Sequence, residues 1–520
     1  MARVEERRVT GSTMVRATAV GLGVILVLAL GLRLLDLPSN PPALFEDELA
    51  GAASAWSLAT TGRDVEDTHL PFLGTRLEHK MPIYGLSTLP FQAVLGQTPL
   101  AVRMPAALFG TATTALIFWL ARILRRRRVE ALIAAAVFAT APWAVHLGRV
   151  GWEPAAVLAF TVAGTGLLVD GLWSHRPRRV VAAAVVLALG AYAYQPALLE
   201  HALLALAVTA VFLRRLGRRD LAALGAGAVA ALAILAPYLL ALTDPQFTRR
   251  TLEVSVFRDG VDLDALSLAW AHYWAQWDPV YLFGRATFNQ RNGPGMGVLM
   301  PLLIPVLIVG LVRLARRPGP AGLVVLAWLA IGPVAAALTD DVVPHYLRGA
   351  FALPPLVLVA ARALEPVGAR VVALAMSEDR TDRVRAYVSV TGMTFLAALL
   401  VQATFEPYFT RYPVESAGVW GQGTVEAMDL VREQVPPGTT VCIDTAVFSY
   451  YTFPHFVAWY LPDRRDSVVE RVMEEPCTRP GSYLLARAET EVPAGVEAVA
   501  RLGPPESTFE AVLWRMPPAP

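Results

Sequence analysis

Lysine is almost missing from this chain. Of its 45 Lys+Arg residues, Lys80 alone is a lysine. Arginine is a planar fork and lysine a compact point charge on a flexible stem, so a chain built on arginine that keeps one lysine invites a reason for it. Charge is scarce as well. Only 17% of the residues are charged and 55% are hydrophobic, whereas soluble domains carry about 25% charged residues. Cysteine is limited to Cys442 and Cys477, both near the C-terminal end. There is no glycine loop leading into Lys-Ser/Thr, no paired CxxC and no G-x-S-x-G elbow. Soluble nucleotide chemistry has no support, and no nucleic-acid partner is expected. Internal repeats and low-complexity segments are also absent.

What is present is a series of apolar runs long enough to cross a bilayer, about 20 residues each. The mean hydropathy is +0.48. Between the runs lie short arginine clusters, such as Arg125–Arg128, Arg176–Arg179, Arg214–Arg219 and Arg313–Arg317. Basic clusters at membrane ends mark the cytoplasmic side. Fixing them inside predicts about eleven spans, near residues 17–37, 99–121, 130–147, 154–173, 180–195, 197–213, 221–241, 297–312, 320–339, 349–364 and 387–405. The N-terminus is then cytoplasmic and the C-terminus outside. The first run is too long for a signal-peptide core and lacks a small-x-small cleavage site, so it reads as an uncleaved span. The expected protein is mostly α, a multi-pass helical bundle of the plasma membrane over residues 1–405, followed by a small extracytoplasmic α/β domain over 406–520.

Two long polar segments face outwards within the bundle. The first, 38–98, holds the acidic run Glu46-Asp47-Glu48, followed by Ala50–Leu58, which reads as a short amphipathic helix lying at the interface. The second, 242–296, holds the aromatic run His272–Trp277, of a kind that favours the headgroup level. In the tail, Thr424–Gln434 reads as a helix and TTVCID as a buried strand. Helical patterns follow around 448–474, and SYLLAR and EAVLWRM read as strands. In an oxidising compartment Cys442 and Cys477 could form a disulfide.

The chemistry-bearing residues gather in the outer segments. A carboxylate of the 46–48 run could act as general base on an acceptor hydroxyl. Lys80 could meet the charge of a departing phosphate. Arg149, His345 and Arg348 stand at predicted outer span ends, where they should converge on a wet cavity, since charge at a bilayer centre costs roughly 2.5 kcal/mol or more. Glu46, Glu78 and His79 could hold a divalent metal, Mg or Mn by their carboxylates, with the histidine tilting towards Zn.

An ordered set of motifs resembles a known family. It comprises Leu44-Phe45-Glu46-Asp47-Glu48, Thr60–Asp64, Leu70-Pro71, Lys80-Met81-Pro82-Ile83-Tyr84 and Val102–Ala106. It continues through Arg149–Pro154, Tyr192–Gln195, Asn292–Gly297 and Pro344–Arg348. The set resembles the bacterial relatives of protein O-mannosyltransferases and the lipid A aminoarabinose transferases, GT-C-type glycosyltransferases that use polyprenyl-phosphate sugars. The resemblance covers roughly residues 40–410. It implies a GT-C helical bundle with its site at the outer face, Asp47 as base and Glu48 as its partner. Lys80 would contact the donor phosphate, with His345, Arg348 and Arg149 around it. The acceptor would be a protein, lipid or glycan. Glu46 departs from the pattern, being charged where relatives are often uncharged, so the choice of base among Glu46, Asp47 and Glu48 stays open. A transporter or flippase of lipid-linked sugars is the alternative, and it would concentrate ionisable residues near the midplane.

Overall fold

The computed structural model describes residues 2–517 except 69–70, 76–78, 126, 285–294, 445–446, 448–451, 472–479, 493–494 and 504–509. Glu78, Cys477, Arg291 and Asn292–Pro294 therefore lie outside the described residues. Among the described residues, seven helices are long and apolar enough to cross a membrane: Met14–Leu34, Pro99–Arg125, Glu153–Trp173, Ala197–Arg215, Arg218–Ala241, Gly319–Ala337 and Arg380–Thr410. The other four predicted spans also fall on helices, but shorter or more charged ones. Residues 130–147 divide into Arg128–Thr140 and Pro142–Leu147, broken where Pro142 removes a backbone donor. Pro177–Ala191 and Leu303–Arg316 are short, and Leu353–Ala375 carries Arg362, Glu365 and Arg370.

Burial sorts these helices. Glu153–Trp173 is buried along most of its length, whereas few residues of Met14–Leu34 and Arg380–Thr410 are buried, the pattern of a bundle solvated by lipid. The main core joins Pro99–Arg125, Arg128–Thr140, Glu153–Trp173, Gly319–Ile331 and Leu353–Ala375 through Leu120, Phe138, Val162, Trp328 and Val357. Pro99–Arg125, about 40 Å long at 1.5 Å per residue, sets the polarity. Arg103 near its start meets the acidic helix, and Arg125 at its other end joins Arg127, Glu130, Arg362 and Glu365 in an ion-pair cluster.

The acidic run is the first turn of a helix, Glu46–Thr61, longer than the 50–58 stretch predicted. Its apolar face does not lie on lipid. Leu49, Ala52 and Ala53 pack with Met428, Val431, Phe453, Val457 and Leu485 of the C-terminal region in one core. A periodic face reports that something apolar covers it, not what. A hairpin follows, β1 (Leu73–Gly74) with β2 (His79–Lys80), paired Leu73↔Lys80 and Gly74↔His79. In the 242–296 segment, the helix Leu263–Ala275 exposes Trp270 and Trp274 beside Tyr273, as an interfacial aromatic belt requires.

The C-terminal region is a mixed sheet of β3 (Val441–Asp444), β4 (Val468–Arg471), β5 (Tyr483–Arg487), β6 (Glu497–Leu502) and β7 (Ala511–Arg515), in the order β4-β3-β5-β7-β6. β3 runs parallel to β4 and β5, and β7 antiparallel to β5 and β6. The helix Gln422–Gln434 matches its sequence pattern. Within the described part of 448–474, Phe453–Tyr460 is an α-helix and Pro462–Ser467 a 3-10 helix, but Val468–Arg471 is an edge strand. β6, exposed and charged, gave no strand signal in the sequence. Cys442 is disulfide-bonded; Cys477 lies outside the described residues.

Candidate active site

The acidic helix is anchored before it begins. Phe45 stands edge-on to the rings of Trp152 and Trp420, at 6.2 and 6.1 Å. Glu48 reaches back to accept the Phe45 N–H at 3.0 Å, closing the first turn. Its carboxylate is fully buried, with Arg103 Nε donating to Oε1 and Nη2 to Oε2, both at 3.0 Å, and the Gly151 N–H donating to Oε1 at 2.6 Å. The other Arg103 N–H groups donate to the carbonyls of Leu37, Pro41 and Ala43. All the donors of that guanidinium are used. Glu48 and Arg103 thus wrap the chain from 37 to 48 around one buried pair, and neither lines the cavity that Asp47 faces.

Asp47, on the open side of the same turn, does. Lys80 Nζ donates to Asp47 Oδ1 at 2.6 Å, with the lysine side chain 12% exposed and the aspartate 38%. The other aspartate oxygen, Oδ2, has no hydrogen-bond partner among the described residues. The hairpin that carries Lys80 is held in place from beneath. Phe72 and Met81 sit on Tyr192, Tyr238 and Phe247, and Asp64 accepts from the N–H groups of Glu66, Thr68 and Gly74. The next helix, Pro82–Ser87, crosses Glu46–Thr61 backbone to backbone. A Cβ on Gly85 would lie 2.7 Å from the Gly51 carbonyl oxygen.

The Asp47–Lys80 pair opens into a cavity of about 510 Å³. Glu46, His79, Glu153, Tyr194, His345 and Arg348 also line it, with Arg249, Arg250 and Asp341 on further walls and Thr452 from the C-terminal region. Arg348 Nη1 donates to Thr339 Oγ1, and His345 Nδ1 accepts from the Arg348 N–H at 3.3 Å. Burial, aided by the Arg348 charge, pushes the His345 imidazole down to about 3, so it stays neutral and serves as an acceptor. Burial holds the Tyr194 phenol well above its usual range, partly offset by the positive charge of Arg348.

The structure thus brings Glu46, Asp47, His79, Lys80, His345 and Arg348 together and leaves Glu48 and Arg149 out of the cavity. Arg149 is fully buried, donating to the carbonyls of Leu32, Arg33, Asp36 and Asn40 under the ring of Phe409. Its two Nη groups are spent on these carbonyls at the end of the first span and its following turn, and it does not line the cavity. Among the described residues no group of three His, Cys, Asp or Glu could hold a metal. Glu78, one of the expected ligands, lies outside them. Glu200 and His201 pair with protein, Glu200 accepting the Ala335 N–H and His201 meeting Thr161. Sequence reading did not single out Arg249, Arg250 or Thr452. The arginine pair carried a signal, since it breaks the inside bias of basic residues, whereas Thr452 carried none.

With this geometry in view, the chain has the ArnT-like GT-C helical fold. Residues 82–240 match the family model of dolichyl-phosphate-mannose-protein mannosyltransferase. ArnT from Cupriavidus metallidurans in the apo state is similar over 97% of this chain and 98% of that one, at 15% identity and a TM-score of 0.58. The same protein bound to undecaprenyl phosphate is similar over the same shares, at 14% identity and a TM-score of 0.59. The archaeal oligosaccharyltransferase AglB from Archaeoglobus fulgidus, in complex with an inhibitory peptide and a dolichol-phosphate, is similar over 90% of this chain and 69% of that one. Its identity is 12% and its TM-score 0.51. No curated protein matches the sequence.

Proposed function

We propose that this protein is an integral-membrane glycosyltransferase that moves a sugar from a polyprenyl-phosphate donor to an acceptor hydroxyl at the extracytoplasmic face. The observation that carries the reading is the contact of Asp47 with the sole lysine in a polar cavity whose walls also carry Arg249, Arg250 and Arg348 among several carboxylates. The cavity lies at the opposite end of the bundle from the Arg125–Arg362 cluster, which puts it outside if that cluster is cytoplasmic. Undecaprenyl phosphate and dolichol-phosphate bound to proteins of this fold support the donor class. An apolar groove of about 410 Å³ between the helices Pro177–Ala191, Ala197–Phe212 and Arg218–Ala241 begins at Ala197, next to Pro196 of the cavity wall. It would take the prenyl chain while the phosphate sits in the cavity.

The chemistry is a direct displacement. Asp47 Oδ2 accepts the proton of the acceptor hydroxyl as its oxygen bonds to the sugar C1. The bond from C1 to the phosphate oxygen breaks, and its electron pair leaves with polyprenyl phosphate. Lys80 and Arg348 meet the charge that develops there, an ammonium and a guanidinium already held in place before the reaction begins. Tyr194 and neutral His345 offer polar contacts to the sugar. One displacement inverts the anomeric centre. The test is a panel of radiolabelled polyprenyl-phosphate sugars with a crude envelope acceptor, the product anomer being read by NMR. Consumption of one donor with inversion is expected; retention, or consumption of none, contradicts the reading.

A further inference from the structure

The C-terminal region does more than cover the acidic helix: one of its side chains ties together the two elements that carry the Asp47–Lys80 pair. His455, on the helix Phe453–Tyr460, is fully buried. Its Nε2 lies 3.0 Å from the Gly74 carbonyl oxygen and 3.0 Å from Ser54 Oγ. A carbonyl oxygen can only accept, which assigns the proton to Nε2 as donor.

Each contact reaches one arm of the pair. Ser54 lies on the acidic helix two turns beyond Asp47, on the same face. Gly74 is the β1 residue paired with His79, the neighbour of Lys80. Gly74 is itself held from both ends, its N–H by Asp64 at 2.7 Å and its carbonyl by His455. A side chain there would displace Thr68, since a Cβ would lie 1.9 Å from Thr68 Oγ1. Nearby, Thr452 donates to Glu46 at 3.3 Å, a second tie between the same helix and the C-terminal region.

We infer that His455 is a positioning residue for the transfer site: its buried Nε2–H fixes the hairpin against the acidic helix and so sets the placement of Lys80 against Asp47. The inference rests on the glycosyl-transfer reading for its effect on turnover, but the geometric claim can be read without activity. Lys80 is the sole lysine, so amine labelling scored by peptide mass reports on it alone, apart from the N-terminus.

The test uses the full-length protein in lipid, measuring transfer and Lys80 acetylation. His455→Ala should lower kcat about 10- to 100-fold while leaving the donor KM within about threefold. It should also raise the Lys80 labelling rate about threefold or more as the hairpin loosens. His455→Gln, which can present a donor at a similar reach, should restore both. Phe456→Leu, in the apolar core that covers the acidic helix and with a side chain that carries no hydrogen-bond donor, is the control for loosened packing and should change neither. If His455→Ala does not fold, Ser54→Ala replaces it. Wild-type turnover and labelling in the folded variant overturn the inference, as does an equal loss in Phe456→Leu or a failure of His455→Gln to rescue. If wild type consumes no donor, the transfer reading fails, and labelling alone then decides the positioning claim.

Discussion

Three consecutive acidic residues have three different jobs because a helix turns about 100° per residue and presents each to a different surface. Glu46 meets Thr452, Asp47 meets Lys80 and the cavity, and Glu48 is buried against Arg103. Neutralising Glu48 leaves the Arg103 charge buried without its counterion. Glu48→Gln should therefore destabilise the protein by about 3–5 kcal/mol, seen as a large fall in melting temperature, whereas Asp47→Asn at a part-exposed site should leave it nearly unchanged. His345 makes a second residue-scale prediction. Unfolded, it takes up a proton near its ordinary 6.5; folded, it resists until about 3. The unfolded state thus binds more protons in that window, and stability falls as pH drops through it. His345→Asn should flatten the fall in melting temperature over that range; an unchanged slope counts against a buried neutral imidazole. The sequence made Lys80 legible by rarity and the acidic run by charge. It could not separate Asp47 from Glu48, because burial against an arginine 55 residues away is a tertiary fact.

At the scale of elements, the site depends on a helix, a hairpin and a crossing that hold one distance. Glu46–Thr61 and Pro82–Ser87 approach closely enough that neither Gly51 nor Gly85 has a side chain to separate them. Gly85→Ala should push Lys80 from Asp47 and lower turnover about tenfold or more, with donor affinity less affected; a folded variant with wild-type kcat shows that the crossing does not set the site. The long apolar spans were readable from hydropathy because lipid imposes length and composition together. Arg149 was misjudged by the same logic. An arginine at a span end looks like a headgroup or phosphate ligand until the carbonyls of the first span's end are found around it. The strand Val468–Arg471 and the cover over the acidic helix were equally hidden, since both depend on partners far along the chain.

Across the whole molecule, charge is arranged by end. One end of the bundle holds arginines paired with Glu130 and Glu365. The other holds the cavity, walled by the 38–98 segment, two span ends, the Pro245–Glu253 helix and Thr452. A flippase would need its ionisable groups along a path through the bilayer, whereas the intramembrane pair Glu200 and His201 is engaged by Ala335 and Thr161. The most direct measurement is single-turnover transfer from a polyprenyl-phosphate sugar by wild type, Asp47→Asn and Lys80→Ala, each checked for folding. Loss of a general base should cost about 10²–10⁴-fold and loss of the ammonium about 10²–10³-fold. Folded variants that transfer as fast as wild type would contradict the assignment of Asp47 and Lys80 as the reacting pair.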